Sequence, residues 1–172
     1  MGLNRSKIIA IIILIAVLTA CGYRFAEQGS FPGGTHRLFV EVFQNLTQET
    51  GVENIVAAAF MSELTLRKTD ALASSMDKAD VVLSGVVEEV TISTIAYKKT
   101  DVASQRRVTV TLNVKLTKQE GDPIWVAKRF SDNEGYQVTD NPEQTDQNRR
   151  GAIRLLSRRI AERVVNRLSE NF

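Results

Sequence analysis

The chain of 172 residues holds one cysteine, one histidine, one tryptophan and three prolines. A lone cysteine, Cys21, closes no internal disulfide. With His36 as the only histidine there is no Cys/His set to hold zinc. A Ser/His/Asp arrangement would have to recruit His36, which follows Gly33-Gly34 in a stretch without periodic pattern. That glycine pair is no phosphate loop either, because no lysine and helix follow it. Glu88-Glu89 places two carboxylates side by side in a strand pattern, where neighbours point to opposite faces and cannot flank one bond. The expectation is a protein that is not an enzyme, with no metal site and no dissociable cofactor. Excess charge is also missing. The formal net charge is +2, and the first twenty residues carry Arg5 and Lys7 without any acid. What remains balances 20 bases against 20 acids, which gives no argument for nucleic acid. Beyond residue 20 no apolar run approaches the ~20 residues that a membrane-spanning helix needs.

What the chain does have begins with an address. Arg5 and Lys7 precede an apolar run from Ile8 to Ala20, the order of a secretory signal. The run ends in Leu18-Thr19-Ala20-Cys21, which resembles the bacterial lipoprotein signal. There the thiol forms a thioether with diacylglycerol before cleavage makes the cysteine the first residue. An ordinary signal with an incidental cysteine would leave a free exported thiol, a liability that acylation removes. Several acyl chains hold a membrane stably where one does so only marginally. The expected organisation is therefore a signal peptide over 1–20, a lipidated N-terminus and tether over 21–37, and one periplasmic domain over 38–172. Cys21 would carry a diacylglycerol and an N-acyl chain. Gly22 stands where lipoproteins kept in the inner membrane commonly have Asp, so the resemblance implies the periplasmic face of the outer membrane. The tether of about sixteen residues reaches at most ~55 Å.

Leu38 to Phe43 reads as a first strand, with Leu38, Val40 and Val42 on one side and Phe39 and Phe43 on the other. Thr50-Gly51-Val52-Glu53 has capping-box spacing, and Val52, Ile55, Val56, Ala59, Phe60 and Leu64 then share a helical face ending near Lys68. From Ala79 the period becomes two. It slips at Glu88-Glu89 and again before Ile95, as it would at two bulges in one long strand. Val108, Val110, Leu112, Val114 and Leu116 alternate with Thr109, Thr111, Asn113, Lys115 and Thr117, one face core and one face polar. After the Glu120–Pro123 turn, Ile124 to Phe130 makes the last strand. Asn141-Pro142 opens a second helix, with Ile153, Leu156, Ile160, Val164 and Leu168 on one side and arginines on much of the rest. The order is β-α-β-β-β-α. It predicts an α+β two-layer sandwich, two helices packed on one face of a four-stranded mixed sheet. Strands of this length outrun the body, so the hairpin tip between Tyr97 and Arg107 should project.

Two basic features stand out. Lys98, Lys99, Arg106 and Arg107 crowd the tip against Asp101 alone, and can bind a phosphorylated ligand or merely guard a strand end. The arginines of the last helix read first as a solvated face whose stems cover apolar surface.

Several stretches together resemble the lipopolysaccharide-assembly lipoprotein family LptE (RlpB). They are Cys21-Gly22-Tyr23-Arg24-Phe25, Phe43-Gln44-Asn45-Leu46-Thr47, Ala79 to Val87, Trp125, and the helix from Ala152-Ile153 to Phe172. The resemblance implies a plug for the β-barrel protein LptD that assists its assembly and binds lipopolysaccharide on its way to the cell surface. The expected partners are thus an LptD-like barrel, lipopolysaccharide and the membrane through the lipid anchor, with no nucleic acid. The assignment of lipopolysaccharide to Lys98, Lys99, Arg106 and Arg107 rests on charge and projection, not on a family motif. The alternative is a periplasmic lipoprotein that regulates a peptidoglycan synthase, which the short tether disfavours.

Overall fold

The computed structural model describes residues 37–67, 72–97, 103–119 and 121–170. The expected signal, Cys21, residues 21–36 of the expected tether and the tip lysines Lys98 and Lys99 lie outside them. Strands β1 (Leu38–Val40) and β2 (Gln44–Asn45) lead to helix α1 (Val52–Arg67) and a 3-10 turn (Met76–Lys78). Strands β3 (Val81–Tyr97), β4 (Ala103–Lys118) and β5 (Pro123–Gln137) follow, then helix α2 (Pro142–Glu170). The strands form one sheet in the order β1-β3-β4-β5, with β2 also on β3. β1 and β2 run parallel to β3, while β3, β4 and β5 form an antiparallel meander. Both helices cover one face, so the two-layer α+β architecture is the expected one.

The core lies where the periodicity puts it. Val52, Val56, Phe60 and Leu64 of α1 and Ile153, Leu156, Ile160, Val164 and Leu168 of α2 are buried. They meet the alternating row Val108, Val110, Leu112, Val114 and Leu116 of β4. Each such aliphatic side chain contributes roughly 1.5–3 kcal/mol on leaving water. α1, with 16 residues, is only about 24 Å long. β3 has 17 residues and spans about 55 Å. The far end of β3 therefore runs beyond α1: Val87 is fully buried, but Ile92 on the same face is 44% exposed.

The first strand differs from its expected form. Val40 pairs with Leu83 and Gln44 with Val86, so four steps on one strand match three on the other. The extra residue breaks the strand into two pieces and turns Val42 outward, 58% exposed, while Phe43 swings into the core at 2%. The Phe43 ring stacks on Phe60 with centroids 5.3 Å apart. It rests over Gly85, where a Cβ would strike both that ring and the Asn113 carbonyl oxygen.

Helix starts divide in the same way. Asn141 caps α2 as predicted, its Oδ1 accepting the amides of Glu143 (2.9 Å) and Gln144 (3.3 Å). The Thr50–Glu53 box does not form. Asn45 takes the glutamate instead, donating from Nδ2 to Glu53 Oε2 and to the Glu49 carbonyl, each at 2.9 Å. Its Oδ1 accepts the Thr47 amide and hydroxyl at 2.9 and 2.8 Å. One carboxamide thus organises the loop that the box would only have closed.

Candidate ligand-binding surface

The face of the sheet away from the helices carries the polar alternation. Register places Glu89, Thr111 and Ser131 in one cross-strand row and Thr91, Thr109 and Asn133 in the next. Thr111 Oγ1 donates to Ser131 Oγ at 3.3 Å. Below these rows two bulges face each other across β4. On β3 the register slips between Val87 and Glu89, where the sequence pattern slips. On β5, Lys128 and Arg129 together oppose Asn113. Each bulge solves the same problem. Without it Glu89 and Arg129 would fall on the core face; with it Val90 and Phe130 do.

Asn113 joins the two sites. Its Nδ2 donates to Glu88 Oε1, and its Oδ1 accepts the Arg129 amide at 2.8 Å. Arg129 has φ 51°, the single non-glycine residue with positive φ among those described. Its guanidinium lies 3.8 Å from Glu88 Oε2. Toward the sheet's base the same face hollows into a groove of about 380 Å³ that reaches Lys115 and Lys128. The sequence showed Lys115 as one of the polar row and gave no sign of Lys128, because the bulge that aims it is a tertiary feature.

Of the four tip cations, Arg106 and Arg107 are described. Arg106 sits half-buried on the helix side, opposite Thr94 and Tyr136; Arg107 is exposed on the open face, opposite Ser93 and Gly135. Successive strand residues diverge, so these two meet a common ligand only around the strand's end, not on one face. Two further slips in β3 fall at this level, between Thr94 and Ala96 and between Ala96 and Tyr97, later than the one slip expected before Ile95.

The arginine-rich helix works on the protein itself. β5 continues past the expected end at Phe130 to Gln137, its polar second half hidden from pattern reading because it answers α2. Arg159 donates to Asp132 Oδ2 (2.9 Å), Glu134 Oε2 (2.5 Å) and the Asn133 carbonyl (2.7 Å). Arg163 reaches Asp132 at 3.1 Å and the Ser131 carbonyl at 3.3 Å. Arg163 and Arg167 lie over the Phe130 ring, 5.2 and 4.8 Å from its centroid. Burial would raise the Asp132 carboxyl, but hydrogen bonds from Arg159 and the Asn133 amide, with the charges of Arg159 and Arg163, hold it below its ordinary 3.8. The Asp132 and Glu134 hydrogen bonds raise Arg159 in turn. Arg149 bridges Asp146 on its own helix and Glu49 in the loop before α1, the latter at 2.8 Å. Hydrogen bonds from Arg149 and then Arg150 lower the exposed Asp146. The helix is therefore a clamp as much as a solvated face.

Among the described residues no three His, Cys, Asp or Glu side chains are grouped to hold a metal, and no helix is long and apolar enough to cross a membrane. Comparison with known proteins adds what geometry does not. The family model LptE, described as lipopolysaccharide-assembly, matches residues 35–168. The chain belongs to the LptE family. The LptE match takes in every strand and helix start described above. No curated protein sequence matches the chain. Among solved structures, this LptE-family chain is similar in fold to a putative lipoprotein from Caulobacter crescentus, with TM-score 0.53, 11% identity, and coverage of 75% of this chain and 89% of that one. Uncharacterized lipoprotein B from Nitrosomonas europaea matches with TM-score 0.54 and 6% identity, over 78% and 83% of the two chains. Rare lipoprotein B from Shewanella oneidensis matches with TM-score 0.51 and 9% identity, over 77% and 95%. At these identities the likeness concerns the fold alone.

Proposed function

We propose that this LptE-family chain is a non-enzymatic lipoprotein anchored through Cys21 at the periplasmic face of the outer membrane. There it plugs and helps assemble an LptD-like β-barrel and binds lipopolysaccharide during its delivery to the cell surface. The family match over residues 35–168 carries this reading. The open sheet face supports it: rows of Thr, Ser and Asn suit the polar, wet interior of a large barrel. The tip cations Lys98, Lys99, Arg106 and Arg107 supply donors for the phosphates of lipopolysaccharide.

Isolation of the protein from detergent-solubilised outer membrane tests the partner. A large β-barrel protein recovered in equal amount is the expected result. Recovery with an inner-membrane peptidoglycan synthase, or alone, overturns the plug. Reversing the four tip charges tests the ligand site. Lipopolysaccharide binding and its salt dependence should both weaken, and unchanged binding removes the tip from the proposal.

A further inference from the structure

The groove at the base of the open sheet face has an origin in two features already described. The extra residue between β1 and β2 lifts Val42 clear of the sheet, and the β5 bulge aims Lys128 outward. Val42 and Val126 stand 58% and 49% exposed along its sides, with half-buried Val86 between them. Register sets Lys115 beside Val126 and Ser84. Lys115 and Lys128 are exposed, and neither has an ion partner among the described residues. The acids nearby do not cancel them: Glu88 is engaged by Asn113 and Arg129, which leaves Glu41 on the opposite rim.

We infer that this groove binds a single-chain anionic amphiphile. Its phosphate headgroup sits between the ammonium groups of Lys115 and Lys128, and the first methylenes of its chain lie along Val42, Val86 and Val126. Two free cations next to exposed valines match both halves of such a molecule, which neither a free anion nor a neutral alkyl chain does. A volume of about 380 Å³ is near the lower end of the ~300–1,000 Å³ range of ligand sites, room for one headgroup and a short length of one chain. The site lies on the open face at the sheet's base, away from the hairpin tip, and does not depend on a barrel partner.

The test uses the full chain in a non-ionic detergent, titrated calorimetrically with hexyl phosphate, which stays monomeric. Inorganic phosphate and hexanol are titrated in parallel as the two halves of the probe. One hexyl phosphate should bind per chain, with each half alone weaker by about tenfold or more. Lys115→Glu combined with Lys128→Glu should cost about tenfold or more, and Val126→Ser a smaller factor. The lysines are exposed, so the double variant should keep its circular-dichroism melt. Lys115→Ala with Lys128→Ala repeats the test without added acid. Inorganic phosphate binding as tightly as hexyl phosphate, hexanol doing so, or the lysine variants binding like the parent would each overturn the inference. Retention of the barrel partner by the double variant, read in the co-purification, separates the failure of this site from the failure of the plug.

Discussion

Asn113 Oδ1 accepts the backbone amide of Arg129 at 2.8 Å, across a bulge that holds Arg129 at φ 51°. The same carboxamide donates to Glu88 on the opposite strand. A left-handed backbone costs a non-glycine residue about 1–2 kcal/mol, and the sheet keeps it because the alternative buries a guanidinium. Arg129→Gly should therefore stabilise the protein by about 1 kcal/mol, since the exposed 3.8 Å pair with Glu88 that it removes contributes little. Asn113→Ala should destabilise by about 1–2 kcal/mol, because two bulges lose their shared partner. Urea unfolding of both variants checks the opposite signs, and a loss of stability in Arg129→Gly would refute the strain argument.

Gly85→Ala probes the crossing of Phe43. The new methyl has no free space, since backbone lies on one side and the buried ring on the other. Expelling Phe43 from its stack on Phe60 should cost about 1–3 kcal/mol, as overpacking of cores does. A thermal melt checks it, and an unchanged midpoint would mean that the ring yields freely.

Asn45→Ala should cost about 1–3 kcal/mol, since Glu49, Glu53 and Thr47 all lose a partner at once. The effect belongs to the loop before α1, so amide exchange should accelerate there before it does in β4.

The Arg159 clamp predicts acid behaviour. Asp132 is held below its ordinary 3.8 in the folded protein. Above that value both states keep it ionised and the clamp contributes in full. As pH falls below 3.8 the unfolded chain takes the proton first, and the contribution is gone once pH has passed the lowered folded value. Arg159→Ala removes the principal donor and leaves burial to push the carboxyl up. Its acid unfolding, followed by circular dichroism, should begin at a higher pH than in the parent. Coincident acid transitions would show that Asp132 does not need Arg159.

Much of this was legible residue by residue. The 2.0 period of Val108–Leu116, the helical stripe from Ile153 to Leu168, the Asn141 cap and the β3 slip at Glu88-Glu89 are local patterns, and each stands where the pattern puts it. The slip expected before Ile95 comes after Thr94 and is followed by another after Ala96. What escaped depends on distant partners. The second half of β5 reads as polar loop because Asp132 and Glu134 answer arginines some 25 residues later in the chain. Thr50-Gly51-Val52-Glu53 has the right spacing for a cap, yet Asn45 outcompetes Thr50 for the glutamate. Val42 belongs by alternation with Leu38 and Val40, until the match to β3 inserts one residue and reverses it. The groove with Lys115 and Lys128 is the sum of two such insertions, so no window of sequence contains it.

The guanidinium groups laid along β5 occupy the Ser131 and Asn133 carbonyls, and on the opposite border Leu38 gives its carbonyl to the Ala73 amide at 2.9 Å. At these three carbonyls the sheet offers a newcomer strand no free acceptor. In the proposed role the chain works beside a barrel whose own strands are still seeking neighbours, and those strands would otherwise zip onto any bare ladder. Each border carbonyl already taken removes one rung from such a ladder and favours contact with the client by face and ends.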